Sequence, residues 1–480
     1  MRAALILSSQ LLEHHPALLD ENVDTIIMIE AQDLFEELPY HQHKLVLLIS
    51  AMRHFCAHIE KSNKKIIYVA LAQTPQFRQS LKQILTDNSI TTLSWMKSSD
   101  ATPNHTLTEL ANELKIDHEL YPNDMFLTPE SELRDWFDRQ KSPLMENFYH
   151  WQRQRTGMLM DDNKPVGGRW NYDAENRRPL PKAGLKVPTV PRLVHDDITA
   201  EVIDDVKRHF PTHPGIAGDF WLPVNHAEAA LWLESFITER FSQFGPYEDA
   251  MKDGESFLFH SVLSPLINCG LLSVSQVVDA ALDAYQSKNV QIESVEGFIR
   301  QLTGWREYMY GLYLTEPEMI TENYFGFTKP LEDWWYTTDG LNQDLPPPVI
   351  GALRTVHAYG YNHHIERLMV LGNWFLLNEY NPQSVNRWFS SMYVDAYEWV
   401  MVPNVIGMSQ YADGGRTATK PYISGGNYLQ KMGRWWPNAL EAKESQFTEL
   451  YWQFLQNNYE KLHTNFRMAL ALKQAQLRLK

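Results

Sequence analysis

The sequence predicts an α/β domain followed by an all-α domain. Three observations carry that reading. Short apolar runs alternate with helical patterns over roughly the first hundred residues, a Gly/Pro/Asn-rich stretch without period follows, and beyond residue 200 strand signals nearly vanish while helical ones accumulate. At 480 residues the chain exceeds one ordinary hydrophobic core. The expected division is an α/β domain over 1–130, a linker wrapping the domains over 131–200, and a helical domain over 201–480.

Taken in order, "AALILSS", "VDTIIMIE", "KIIYVAL" and "TTLSWM" read as strands, with "HKLVLLISAMRHFCAHIEKS" and "PQFRQSLKQILTDN" as helices among them, the pattern of a parallel sheet. "LSSQL" follows the first strand where a dinucleotide fold carries G-x-G-x-x-G, which argues against a conventional nucleotide site at that turn. Residues 157–200 hold a long ordered linker, and a loop of that length is expected to wrap over something. In "NHAEAALWLESFITERFSQF", Asn225 is placed to cap a helix whose stripe is Leu233, Phe236, Ile237, Phe241 and Phe244. Further helical texts fall at 274–287, 293–314, 349–378, 382–400 and 446–461.

Composition narrows the function classes. Aromatics make up 12% of residues, with 15 Trp, 22 Tyr and 21 Phe, which suits a large aromatic core or a planar ligand. No stretch approaches the ~20 apolar residues of a membrane span, and the N-terminus carries no cleavage pattern, so a cytoplasmic protein is expected. Only Cys56 and Cys269 occur, too few for a disulfide framework or a cysteine-held metal cluster. A formal net charge of -16 restricts DNA binding to a local basic patch.

Four segments carry chemistry. "FLFHSVLSPLINCGLL" (257–272) reads as a helix start whose amides and hydroxyls can hold a phosphate or simply form a Ser-Pro cap. "VEGFIRQLTGWREYMYGLYL" (295–314) mixes Arg300, Trp305, Arg306, Glu307 and Tyr308, and helical Arg–Glu pairs are more often structural. "GYNHHIERLMVLGN" (360–373) sets His363 and His364 ahead of Glu366 and Arg367. A metal set of His357, His363 and His364 is disfavoured because no carboxylate stands at helical ligand spacing. The last segment, 386–432, ends in a Gly-rich loop carrying Arg416 and Lys420, a surface for a sugar-phosphate backbone or a solvated loop.

Together these segments, with "SAMRHF", "GRWNYDAENRRPLP", "EGFIRQLTGWREY", "HHIERLMVLGN", "DAYEWVMVPNVIGMSQYADGG" and "TKPY", resemble the cryptochrome/photolyase family through nearly the whole chain. The resemblance is closest to its prokaryotic iron–sulfur (6-4) photolyase branch. It implies a photolyase-type α/β domain, a helical domain holding FAD, and light-driven electron transfer to a UV photoproduct in DNA. By motif position it implies that Tyr247, His260, Ser261, Val262, Leu263 and Ser264 hold the phosphates and ribityl chain. Asp395, Ala396 and Tyr397 would lie along the flavin, with Arg367 and Asp395 as the ion pair against its ring and Met401 facing N5. His364, supported by His363, is implied as the proton donor at the lesion, and histidine exchanges protons near neutral pH. Tyr422 is implied as a lesion-facing catalytic residue and Tyr428, Arg416 and Lys420 as DNA contacts. The implied relay is Trp388, then Phe389, with Trp335 or Tyr336 outermost.

Several positions depart from the branch. Its four cluster cysteines are absent: Trp436, Ala439 and Ser445 stand at three positions and Pro348 or Ala352 at the fourth, so no iron–sulfur cluster is expected. Trp435, Trp436 and Phe447 are expected to fill that space as core. Met401 replaces an Asn or an acid and Phe389 a Tyr. Ser8 and Ser9 replace Gly-Asp near a lumazine-type antenna region that keeps Glu37, Tyr40, His43 and Lys44. The rival to a monomeric repair enzyme is a cryptochrome-like blue-light receptor that binds FAD and signals through a partner.

Overall fold

The computed structural model describes residues 1–478 apart from 62, 74, 75 and 288. Five parallel strands, β1 (Arg2–Leu5), β2 (Thr25–Ile29), β3 (Lys65–Val69), β4 (Thr92–Met96) and β5 (Asp117–Tyr121), form one sheet in the order β3-β2-β1-β4-β5. Ala4 lies opposite Ile26 in β2 and Ser94 in β4. Four strands fall where the apolar runs predict them. The fifth, "DHELY", is a polar edge strand.

The two faces of the sheet serve different partners. Ala3, Leu5, Ile27 and Trp95 pack under α2 (Phe77–Asp87) and α3 (Ala101–Leu114), through Leu81, Leu85, Leu107 and Leu110. The opposite face, through Ala4, Ile26 and Met28, meets the long helix α1 (Gln42–Ile59). That layer continues into the second half of the chain through Val202, Trp232, Phe236, Phe241 and Phe298.

The first turn of α1 ties the halves together. His41 Nε2 donates to the His357 carbonyl at 3.0 Å, the His41 amide donates to the Ser391 carbonyl at 2.8 Å, and Lys44 Nζ donates to the Ala396 carbonyl at 2.6 Å. His43 Nε2 bonds the Ile216 carbonyl at 2.9 Å. His43 and Lys44 are thus buried and engaged, whereas Glu37 is exposed and Tyr40 half-buried beneath Lys44.

Residues 131–156, placed with the linker from sequence, fold largely as two helices, α4 (Glu130–Asp138) and α5 (Met145–Thr156). Trp136, Phe137 and Phe148 seat them in the helical core. The irregular stretch is shorter, about 157–196, and it does lie over other structure. The Tyr172 amide donates to Glu296, Asn176 Nδ2 to Glu248 at 2.6 Å, and the Leu180 carbonyl accepts from Arg434. Among the described residues no helix is long and apolar enough to cross a membrane.

Beyond α6 (Asp197–His209) the structure is helical. Asn225 caps α7 (His226–Ser235), accepting from the Glu228 amide at 2.9 Å. The expected stripe is buried at Leu233, Phe236, Phe241 and Phe244 and half-buried at Ile237, with Trp232 beside it. Four helical texts contain π-type turns, at 236–240, 300–306, 366–372 and 402–409. Such wide turns often mark functional sites, and here three of them abut the segments singled out above.

Candidate functional site

The His-His segment is positioned by a helix that stops abruptly. Residues Pro347–Tyr359 are helical, and Gly360 ends them at φ +63°. A Cβ there would stand 2.7 Å from Val394, so only glycine permits the turn. The chain re-enters a helix by Ile365, which leaves His363 fully buried and His364 with 44% of its side chain exposed.

Beneath the histidines lies a polar frame. Arg367 bonds Asp395 through both terminal nitrogens, at 2.9 and 3.0 Å, and donates from Nε to the Asn362 carbonyl at 2.7 Å. Its guanidinium also lies over the rings of Tyr393 (4.2 Å) and Tyr361 (5.0 Å). Asp395 accepts from the Ser264 hydroxyl at 2.6 Å, and its carbonyl accepts from Asn268 at 2.8 Å. Asp395 is therefore fixed from three directions by fork and hydroxyl donors, an arrangement that compensates a buried charge pair.

The 257–263 loop delivers the next residues. Ser264 opens the short helix α8 (Ser264–Cys269) with Pro265 behind it, as the sequence predicts. Val262, nearly fully buried, sits at φ +58°, a conformation that is an outlier for a β-branched side chain. Strain of this kind clusters at ligand clamps and active sites. The amides of Ser261 and Val262 bond no described group.

His260 stacks on His363, with ring centroids 4.5 Å apart and planes within 6°. Burial and neighbouring imidazoles hold both well below the usual histidine range, so both rings are neutral at pH 7. Ligating nitrogens of His260, His363 and His364 lie within 4.8 Å of one another. The trio that assembles thus includes His260 in place of His357. His364 Nε2 stands 3.7 Å from Asp249, and His363 Nε2 stands 3.7 Å from Glu366. Burial raises the Glu366 carboxyl to about 7, although Asn362 bonds it at 2.8 Å.

Tyr422 and Tyr428 are half-buried, and the charges of both Asp249 and Arg177 act on each phenol. Asp249 thus stands beside His364, and its charge also reaches both tyrosines. Tyr247 is half-buried against Phe259, with centroids 5.6 Å apart. Ala396 is buried, and Tyr397 places its ring 5.2 Å from Lys44 with its hydroxyl unpartnered. Met401 is buried in the helical core. Lys420 is exposed and pairs with no described residue, but Arg416 is engaged by Glu316 and Glu322.

Phe389, Trp388, Trp335 and Trp334 pack ring against ring in that order. Trp388 packs on Phe389 (5.1 Å) and on Trp335 (6.2 Å), and donates from its indole N–H to the Trp335 carbonyl at 2.9 Å. Trp335 stacks on Trp334 at 4.4 Å, and Tyr336 is half-buried next along the chain. In the second motif, Glu307 accepts the Leu127 and Thr128 amides, and Arg306 bonds Asn268 and the Met125 carbonyl. Those residues brace the neighbouring elements, as the structural reading expects.

Sequence reasoning missed Arg240. Its side chain is fully buried, and none of its three nitrogens has a described partner. Burial pulls it down to about 10. Its charge acts on His260 and Tyr361, which locates it beside the motif loop. An orphaned guanidinium there is costly unless an anion meets it, and a cofactor diphosphate fits that demand together with the unbonded amides of Ser261 and Val262. Its spacing from Leu233, Ile237 and Phe244 sets it on the apolar stripe of its own helix text, a signal of burial that does not say what meets the charge.

A parallel five-stranded sheet joined to a helical domain is the fold this chain shares with photolyase and cryptochrome structures. The fold matches a bacterial class III photolyase from Agrobacterium tumefaciens with a TM-score of 0.60 at 16% identity, covering 99% of this chain and 91% of that one. It also matches a Synechocystis cryptochrome with a TM-score of 0.58 at 14% identity, covering 90% and 88% of the two chains. Residues 4–222 match the family described as deoxyribodipyrimidine photo-lyase-related protein. The chain is 37% identical over 478 residues to the (6-4) photolyase of Agrobacterium fabrum, spanning 97% of this chain and 93% of that protein. The chain belongs to this photolyase-related family.

Proposed function

We propose that this protein is a light-dependent (6-4) photolyase that binds FAD and repairs UV-damaged DNA. One arrangement carries the reading: the half-exposed His364 stands one turn from Arg367, whose guanidinium is locked to Asp395 in the frame beneath. A half-exposed proton donor thus adjoins a rigid charged frame.

Arg240 and the amides of Ser261 and Val262 would meet the diphosphate, and Tyr247 would flank it. Arg367, Asp395, Ala396, Tyr397 and Met401 would border the ring system. When bound, reduced and photoexcited, the flavin supplies one electron to the damaged base pair. Arg367 holds a fixed positive charge beside that ring, which favours its anionic reduced state. Asp395 keeps Arg367 in place, and Ser264 keeps Asp395 in place.

His364 gives a proton from Nε2 to the migrating hydroxyl and recovers it as the bases separate. Asp249, 3.7 Å from that nitrogen, stabilises the protonated ring before it gives the proton and after it recovers it. His363 stays neutral and orients His364 by packing, while Tyr422 and Tyr428 face the opened bases. A flipped lesion loses less stacking than an intact pair, so the pocket favours damage. Lys420, which forms no ion pair with a described residue, would meet the DNA backbone, and Arg416 contributes less because two carboxylates engage it.

The chain works without an iron–sulfur cluster. At the branch's cluster positions Trp436 is tied to Gln430 through both backbone groups, Ser445 bonds the Ala442 carbonyl at 2.7 Å, and Phe447 is buried against Trp374. A lumazine-type antenna would find Glu37 and Tyr40 accessible. We assign a cytoplasmic, monomeric protein. Purified protein should release FAD on heating. With blue light it should convert (6-4)-bearing single- and double-stranded DNA to intact pyrimidines, read by chromatography of the digest. Bound FAD with unaltered lesions would instead fit a cryptochrome-like receptor, the reading that Met401 and Phe389 favour.

A further inference from the structure

A surface cleft that the repair chemistry does not use is lined by Tyr336, the residue after Trp335 in the chain. A cavity of about 470 Å³ lies in the seam between the two domains, walled by Pro39 from the α/β side and by Leu331, Asp333, Tyr336, Ser384 and Arg387 from the helical side. Its charged walls flank the relay in sequence: Arg387 precedes Trp388, and Tyr336 follows Trp335. Arg387 makes no ion pair, side-chain hydrogen bond or ring contact with any described residue, and Asp333 forms no ion pair. The volume suits a small organic molecule. Arg387 asks for an anion, Asp333 for hydroxyl donors, and Tyr336 offers a ring face.

We propose that this cleft binds a small hydroxylated enediolate, of the ascorbate class, as the electron donor that resets the relay. The proposal rests on the flavin reading above. An electron drawn from Trp388 is replaced from Trp335, and then from Tyr336, bonded to it as the next residue in the chain, whose phenolic proton leaves to solvent. The enediolate monoanion returns one electron and one proton to the tyrosyl oxygen, re-forms its O–H bond and departs as the radical anion. A phenol that burial keeps protonated is suited to such a coupled transfer. A thiolate would pair with Arg387 but leave Asp333 facing it, so the cleft discriminates by hydroxyl content.

The test uses the full FAD-loaded chain and ascorbate itself. In the dark and without oxygen, equilibrium dialysis with labelled ascorbate should show one site per chain. That site is weakened about tenfold in Arg387→Gln, from loss of one charge-assisted contact, and retained in Tyr336→Phe. Under constant blue light the flavin reduction rate should saturate with ascorbate, at a half-saturation shifted by the same factor in Arg387→Gln, while Tyr336→Phe lowers the plateau. Absence of dark binding, or a rate that rises linearly and equally for ascorbate and a neutral thiol, overturns the proposal. Dark binding that follows Arg387, in a protein whose flavin light does not reduce, upholds the site and overturns the relay instead.

Discussion

Replacing Glu366 by Gln tests the buried frame under the histidines with a magnitude that follows from the structure. Glu366 is 2% exposed, and its carboxyl is raised by burial from 4.5 to about 7, with Asp253 adding to the rise and Asn362 and Arg367 opposing it. At 1.36 kcal/mol per pH unit that rise corresponds to about 3 kcal/mol. Below pH 4.5 the acid is protonated in both states and contributes nothing. Between 4.5 and 7 the unfolded chain ionises while the native one does not, so native stability falls. Above 7 the whole penalty is present. Glutamine mimics the protonated acid throughout and still accepts from Asn362. Glu366→Gln should therefore match the wild type near pH 4.5 and exceed it by about 3 kcal/mol at pH 8. Urea unfolding of the helical domain, followed by Trp fluorescence at both pH values, measures the gap, and the protonated-carboxyl infrared intensity at pH 6 should fall by one group in the variant. An equal gap at pH 5 and pH 8 would refute the assigned burial.

Four further outcomes follow from the same frame. His364→Ala should lower repair about 10²- to 10⁴-fold while retaining flavin, measured by turnover and absorbance. A parallel loss of flavin would make His364 structural. Arg240→Leu should weaken FAD by roughly ten- to a hundredfold yet leave riboflavin unchanged, and equal losses for the two ligands would remove it from the diphosphate. Asp395→Asn strands a buried guanidinium and should cost about 3–5 kcal/mol in denaturant unfolding, with a cost below about 1 kcal/mol showing that the pair is screened by water. Gly351→Ala would bring a Cβ within 2.7 Å of Trp435 and should cost about 1–3 kcal/mol, and an unchanged midpoint would mean that the indole moves freely.

Local chemistry was legible where it is local. Apolar runs located four strands, and Asn225 announced its own helix because a cap bonds within three residues. β5 escaped because an edge strand of alternating polar residues carries little burial signal. The resemblance of the motifs to the family implied Ser264, Arg367 and Asp395, which the fold brings into one bonded chain. Asp249 and Arg240 were not legible, since their roles arise from residues that reach them only through tertiary packing. The π-type turns were unreadable for a related reason: one extra residue in a helical text leaves composition unchanged while rotating everything after it. Val262 is the sharpest case, because no propensity places a β-branched residue at positive φ.

The central claim is most directly tested by illuminating the FAD-reduced protein with a (6-4)-bearing oligonucleotide and separating the nucleosides after digestion. Intact thymidines should accumulate in blue light and not in darkness, at a rate that collapses in His364→Ala. Unchanged photoproduct in a sample whose flavin is bound and reduced would contradict the account.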